Sequence, residues 1–158
     1  MRSSIIDIEL AKRLITTNKL FTDDVVMQTE GAKNQYSKFT APVFYPNGDN
    51  IVGLSLRFES NRSQGYRIHR LGLMLREGSF LNPILDLCFY PNFTRAHMDR
   101  IKRETIYGSH VHILNDVKKL DVDYDKCNWI DYFGMFANHA NVNFSSSKIF
   151  QPFEGELL

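Results

Sequence analysis

Hydrophobic and polar residues alternate through the middle of the chain with the two-residue period of a β-strand. The alternation is regular at 51–58 and 66–76, and extended apolar segments also lie at 40–45, 84–91 and 109–114. Successive side chains of a strand face opposite sides of a sheet, so each segment predicts a strand with one buried face. Short turn-rich stretches separate the first four segments, which predicts an antiparallel meander in sequence order.

Turn residues indicate how the two most regular strands pair. The stretch "PNGD" at 46–49 contains Pro and Gly, which supply fixed and positive φ angles, and "NRSQG" at 61–65 is short and turn-rich. We therefore predict that 51–58 and 66–76 pair antiparallel around the turn at 60–65.

The two ends of the chain have a helical period instead. Ile6, Leu10 and Leu14 recur every four residues and predict a leading helix within 1–20. Aromatic residues at near-helical spacing predict a closing helix at 127–142. The predicted fold is α+β: an antiparallel sheet of about five strands with both helices packed on one face. The predicted core consists of Val52, Leu54, Leu56, Phe58, Leu71, Leu73, Leu75, Val111 and Ile113 of the sheet with Ile6, Leu10, Leu14, Trp129 and Phe133 of the helices.

Composition favours one globular domain over residues 1–158, with a sheet region at 39–114 and an irregular tail at 145–158. Hydrophobic residues make up 43% and charged residues 23% of the chain, as in ordinary globular proteins. No apolar run reaches the ~18 residues of a membrane span, and charges interrupt the apolar N-terminus. We expect a cytoplasmic protein that does not enter a membrane, with Cys88 and Cys127 reduced.

Basic residues are concentrated in one part of the chain. Residues 57–103 hold nine Lys and Arg against four Asp and Glu, although the net charge of the whole chain is only +1. A net charge of this size is small for a protein that binds duplex DNA through contacts to many phosphates. Within the block, 95–103 predicts a short basic helix after Thr94. Its cations, as candidates for binding a protein partner or RNA, are Arg95, Arg100, Lys102 and Arg103. The alternative is a helix face that is merely solvated.

Two histidines, His110 and His112, share one face of the predicted strand at 109–114. Val111 and Ile113 should face the core, so the imidazoles should project from the opposite face of the sheet. A histidine pair can cleave a phosphodiester without a metal, one residue acting as base and the other as acid. Arg70 or Arg67 would then neutralise the phosphate. The alternative is a pair of surface histidines with no function.

The same pair could occupy two corners of a metal site. A third ligand is needed, and His69, Asp86 and His97 are the available donors. Their spacing selects none of them, and the chain contains no CxxC motif. The sequence therefore predicts no metal and no other cofactor.

Several short motifs resemble a small bacterial domain of unknown function, domain of unknown function 6978, which is found in chromosomal and mobile-element genes. The motifs are "HRLGLML" at 69–75, "NP" at 82–83, "GSHVHI" at 108–113 and "FGMFANHANV" at 133–142. The resemblance implies a site formed by Arg70, Asn82, His110 and His112.

The chain departs from that pattern in two ways. Phe80 stands where the family has a histidine in His-x-Asn-Pro, and a basic insertion at 84–107 separates Asn-Pro from the His-x-His strand. Both departures weaken the case for carrying the family's chemistry over to this chain, and they favour a surface adapted to one partner. The leading hypothesis is a small interaction protein of a bacterial mobile element or phage that binds and modulates a defence or toxin component. The candidate partners include a component associated with nucleic acid, that is, RNA or a protein–nucleic-acid complex. The alternatives are a toxin-like, metal-independent ribonuclease and a structural accessory protein without a site.

Overall fold

The computed structural model describes residues 7–62, 65–99 and 104–153. The helices of this part are α1 (Ile8–Thr16) and α2 (Trp129–Ala140). Its strands are β1 (Lys19–Leu20), β2 (Gln28–Glu30), β3 (Tyr36–Phe44), β4 (Asn50–Asn61), β5 (Ile68–Glu77), β6 (Phe80–Phe89), β7 (Arg95–Asp99), β8 (Glu104–Tyr107), β9 (His110–Ile113), β10 (Asp116–Lys119) and β11 (Val142–Asn143).

The α+β class, with a mostly antiparallel sheet and two helices among the described residues, is confirmed. The described strands of the main sheet number nine, in the order β10-β9-β6-β5-β4-β3-β1-β11, with β2 also pairing with β3. Strands β3 to β6 form the expected meander, and β4 pairs antiparallel with β5 from Leu54↔Leu75 to Asn61↔Ile68, as predicted. The prediction of about five strands is wrong because it omits β1, β2, β10 and β11. These strands are only two to four residues long, too short to show an alternating pattern in the sequence.

Both helices pack on the same face of the sheet, which we call the inner face. Phe58 on β4 lies near the centre of the core, with its ring 5.4 Å from that of Phe133 and 5.2 Å from that of Phe136. The predicted core residues that the structure buries are Leu54, Leu56, Phe58, Leu71, Leu73, Leu75, Val111, Leu14, Trp129 and Phe133. Leu10 and Ile113 are half-buried against this core, and Ile6 lies outside the described residues.

Val52 contradicts the core prediction, since its side chain is 89% exposed. The cause is Gly53, whose φ of +79° interrupts the regular pleat. Ile51 and Leu54, on either side of the irregularity, are both buried. The alternation seen at 54–58 therefore does not extend back through Gly53, and the residue before it turns outward.

Specific side chains form hydrogen bonds with the unpaired backbone groups at the ends of the helices. Asp7 caps α1, and Asn128 forms a capping box with Asp131 at the start of α2. At the opposite ends, the buried Lys19 ammonium donates to carbonyl oxygens of both helix C-termini: Ile15 (3.0 Å), Thr17 (2.6 Å) and Ala140 (2.6 Å). Burial lowers the pKa of Lys19 to about 8, so the ammonium remains mostly protonated at neutral pH.

The basic segment is not the helix that the sequence predicts. Residues 95–99 form β7, which pairs antiparallel with β8 as a sheet separate from the main one. We call this pair the β7–β8 hairpin; residues 100–103, between its strands, lie outside the described part. Pairing with β8 explains the preference, because it satisfies backbone groups of 95–99. His97 and Ile106, which pair directly, are both half-buried.

Segments outside the predicted strands and helices also contribute to the structure. Residues 22–35 include β2, and the stretch after Ile113 includes β10. In the tail, Ile149 forms a parallel bridge with Val25, and Phe153 is buried. Cys88 and Cys127 are free thiols. Neither described helix has the length and apolar character that crossing a membrane requires.

Candidate functional site

A cluster of titratable side chains lies on the outer face of the sheet, the face opposite the helices. Strands β6 and β9 are antiparallel neighbours, with Cys88 directly opposite His110 and Asp86 directly opposite His112. Directly opposed residues of such a pair have their side chains on the same face, about 4.5–5.5 Å apart at Cβ. Val111, between the two histidines, faces the core as predicted. We call Cys88, His110 and His112 the outer-face cluster.

The donor atoms of the outer-face cluster converge. The Sγ atom of Cys88 and one ring nitrogen from each histidine all lie within 4.8 Å of one another. The two imidazole rings meet edge to face, with their centroids 4.9 Å apart. Strand alternation places the imidazoles on one face, and the pairing of β6 with β9 adds the thiol.

The β7–β8 hairpin covers this cluster. The ring of His97 on β7 lies 5.8 Å from that of His110 and 5.2 Å from that of His112. The ring of Tyr90 also stacks on that of His110, with 5.7 Å between the centroids. As a result, His110 is only 2% exposed, although it faces away from the main core. The expectation of a solvent-facing pair is therefore wrong for His110, and His112 is half-buried.

Burial determines the protonation of the cluster. It lowers the pKa of His110 to about 4, although the bond to the Gly108 carbonyl opposes the shift. It also lowers the pKa of His112, with a further contribution from His97 and Arg70. Both imidazoles are therefore neutral at pH 7. Burial raises the pKa of the Cys88 thiol to about 12.

An ion pair borders the cluster. Arg70 on β5 donates from Nη2 to the carboxylate of Asp86. It also lies opposite Cys88 in the pairing of β5 with β6, where its charge opposes the rise in the pKa of the thiol. Gly72, opposite Asp86 on β5, makes room for this carboxylate. A Cβ atom at Gly72 would lie 2.9 Å from the Leu85 oxygen and 3.0 Å from Oδ1 of Asp86. The missing side chain is therefore part of how the site is built.

The structure brings together some of the predicted site residues and separates others. Arg70 lies opposite Cys88, and its charge acts on His112, so it is near the histidine pair as the catalytic hypothesis requires. Asn82 does not join them. It lies on β6 four residues before Asp86, where it pairs with Leu75 of β5. This part of β6 is beyond the end of the pairing with β9. Arg67 precedes β5, where its guanidinium lies 5.8 Å from the ring centroid of Phe153.

The remaining predicted residues also differ in whether they lie at the cluster. Of the three additional metal donors considered from the sequence, Asp86 and His97 lie at the cluster. His69 lies on the inner face, between the rings of Trp129 and Tyr132, and hydrogen-bonds to Ser60. Arg95 is an exposed residue of β7. The other predicted partner-binding cations, Arg100, Lys102 and Arg103, lie outside the described residues.

Sequence reasoning missed Cys88 as a member of the site. The signal was partly present, because 84–91 is a predicted strand and Cys88 has the same parity as Asp86. The sequence did not indicate which strand pairs with 84–91, because residues 90–109 separate it from β9.

No protein-family model, no curated protein and no solved structure matches this chain. The resemblance to domain of unknown function 6978 therefore stays a prediction. The geometry alone describes the site: a thiol and two neutral imidazoles on a rigid sheet, a third imidazole above them, and a neighbouring Arg–Asp pair. Such a set of donors suits the binding of a soft or borderline metal ion, and its burial does not suit access by a large substrate.

Proposed function

We propose that this chain is a non-catalytic interaction protein that binds an acidic protein surface through the β7–β8 hairpin and the loop before it. The observation that carries the proposal is the exposure of apolar side chains at this place. Phe93 is 92% exposed, Met98 49% and Tyr107 48%. The exposure of Phe93 is typical of a residue that anchors a partner.

The charge of the same segment indicates the chemistry of the partner. Residues 95–103 contain four Arg and Lys and one Asp. Apolar anchors within a segment of basic sequence are complementary to an apolar patch with an acidic rim. The predicted cellular role, modulation of a bacterial defence or toxin component encoded by a mobile element or phage, is part of this proposal.

Catalysis by the histidine pair has less support. A general acid and base need pKa values near the working pH and contact with the substrate. His110 is buried, burial lowers its pKa to about 4, and the hairpin lies over it. Asn82, the remaining residue of the implied ribonuclease site, lies elsewhere on β6.

The proposal is tested by capture of the partner from an extract of the host cells. The wild-type chain, an R100E/R103E variant and an F93S variant are used as bait. We expect both variants to recover at least about tenfold less of the same protein, because hot-spot residues contribute more than about 1.4 kcal/mol each. A K12E/R13E variant is the matched control, since it makes the same change of charge on exposed positions of α1.

Labelled RNA provides the second part of the test. The chain is incubated with RNA, with and without a chelator, and both cleavage and mobility are followed. Cleavage that H112A abolishes would support the ribonuclease hypothesis and contradict ours. A mobility shift that R100E/R103E abolishes would make RNA the partner. Equal capture by wild-type and hairpin variants would also overturn the proposal.

A further inference from the structure

We infer that Cys88, His110 and His112 bind a zinc ion. His97, on the β7–β8 hairpin, supplies the fourth ligand. The ion thereby fastens the hairpin to the outer face of the sheet. This inference concerns the metal and does not depend on whether the hairpin has a protein partner.

The first argument is the arrangement of the donor atoms. One thiol sulfur and two imidazole nitrogens lie within 4.8 Å of one another. In a tetrahedral zinc site, ligand bonds of roughly 2.0–2.3 Å hold neighbouring donors about 3.3–3.7 Å apart. Closing the cluster onto an ion therefore needs a movement of about 1 Å, which side-chain rotation provides. The three ligands stand on adjacent strands, β6 and β9, each of which is paired on both sides, so their backbones are already fixed.

The second argument is the orientation of His110. Its Nδ1 atom lies 3.2 Å from the carbonyl oxygen of Gly108. A carbonyl oxygen can only accept, so Nδ1 carries the proton and Nε2 has a free lone pair. Histidines that bind metals almost always donate their other ring N–H to such an outer acceptor, which fixes the ring and raises the basicity of the ligating nitrogen.

The third argument is the chemistry of the donor set and its surroundings. A thiolate and imidazoles favour zinc, whereas calcium and magnesium prefer oxygen ligands. On binding, the Cys88 thiol releases its proton to solvent and the sulfur bonds to the metal as a thiolate. The positive charge of Arg70, which lies opposite Cys88 on β5, then stabilises the charged sulfur, while Asp86 balances the arginine. The paired charges beside the cluster cancel, so they do not repel a dication.

The fourth argument assigns a role to His97. Its ring touches both histidines of the cluster from the hairpin above, at 5.2 and 5.8 Å between centroids. The strands of the hairpin do not belong to the main sheet. Lys119 on β10 makes one hydrogen bond to the hairpin, from Nζ to the Tyr107 carbonyl oxygen at 3.0 Å. A metal bond from His97 would be a far stronger connection. It would place the exposed residues of the hairpin in a fixed position relative to the sheet.

The experiment begins with zinc and cobalt. The purified full chain is stripped with a chelator, and zinc is returned while bound metal is counted and affinity is measured by competition. We expect one zinc per chain. With cobalt as the probe, we expect a thiolate-to-metal charge-transfer band and the intense visible bands of tetrahedral coordination. C88A and H112A should each weaken zinc binding by more than about 100-fold, since even the loss of an outer-shell partner costs 10–100-fold.

Matched controls are present in the chain. C127A removes the other thiol, and H139Q removes an exposed histidine on α2. Both variants should bind zinc and give the cobalt spectrum as the wild type does. Circular dichroism of each stripped variant identifies any that fails to fold, and C88S then replaces C88A.

Hydrogen exchange tests the hairpin. We expect zinc to slow exchange of the amides of β7 and β8 and to leave those of β4 unchanged. H97A should keep metal binding through the three remaining ligands and lose the slowing of exchange in the hairpin.

The inference is overturned if the stripped chain takes up no stoichiometric zinc, or if C88A and C127A bind it equally well. Zinc binding without slower exchange of the hairpin would overturn the role of His97. A chain that binds zinc but captures no partner would contradict only the proposed function, and the converse result would contradict only this inference.

Discussion

At the scale of single residues, the outer face depends on positions where a side chain is missing or unusually buried. Gly72 is the clearest case, because it lies under the Asp86 carboxylate on a central strand and not in a turn. Glycine within a strand weakens the strand unless another group uses the space. Here the space holds the carboxylate that pairs with Arg70 beside the outer-face cluster.

We predict that Gly72→Ala lowers the free energy of unfolding by about 1–3 kcal/mol, the usual cost of overpacking. The added methyl group would lie 2.9 Å from the Leu85 oxygen, a backbone atom that cannot move away easily. Chemical denaturation of the two proteins measures the effect. Gly134→Ala is the control, because Gly134 is exposed on α2 with nothing near its Cβ position. That change should stabilise the chain by up to about 1 kcal/mol, and destabilisation by both would contradict the argument.

At the scale of elements, the C-terminal ends of the two helices meet at one buried cation. The last carbonyls of a helix have no partner within the helix, and a positive charge there is favourable. Lys19 satisfies carbonyls of both ends from β1, the short strand that follows α1 and pairs in parallel with β11 after α2. One side chain thus joins elements that are more than a hundred residues apart in the sequence.

Replacing Lys19 should therefore loosen both helices at once. We expect Lys19→Met to destabilise the chain by about 2–4 kcal/mol, because three buried carbonyls lose a charged donor. Thermal unfolding gives the magnitude, and hydrogen exchange at the ends of α1 and α2 gives the location. Lys12→Met, an exposed change on α1, should stay within about 0.5 kcal/mol of the wild type. A loss confined to one helix end would show that Lys19 does not couple them.

At the scale of the whole molecule, the sheet buries a neutral histidine on each face. His69 lies on the inner face, where burial and the nearby charge of Arg67 lower its pKa to about 3. His110 lies on the outer face beneath the hairpin. Between the folded pKa of each residue and its value of about 6.5 in the unfolded chain, only the unfolded chain binds the proton. The stability of the fold should therefore decrease as the pH falls below about 6.5.

The contribution of His69 can be isolated with His69→Gln, which keeps a hydrogen-bonding group opposite Ser60 but cannot titrate. In the wild type, the free energy of unfolding should fall with decreasing pH. In the variant, we expect this slope to be smaller by about 1 kcal/mol per pH unit. Denaturation between pH 6.5 and 5 measures the slope, because most carboxylates do not yet titrate there. The exposed His139→Gln variant should keep the slope of the wild type, and an unchanged slope in His69→Gln would refute the prediction.

The sequence alone determined the elements that have a long local period. Strands β4 and β5 are 12 and 10 residues long, and their alternation and short turn predicted the correct pairing. The stripe of α1 and the aromatic spacing of α2 predicted both helices for the same reason. In such segments the periodicity of hydrophobic residues is repeated often enough to distinguish strand from helix.

The tertiary structure decided everything that depends on which distant segments lie side by side. The short strand β11 pairs with β1, which in turn pairs with β3, and the basic segment is a strand because β8 lies beside it. The parity of 109–114 placed both imidazoles on one face, but Cys88 and His97 reach them through pairing and packing across intervening residues. Local periodicity carries no information about such contacts. The outer-face cluster is therefore a property of the fold, although each of its residues is visible in the sequence.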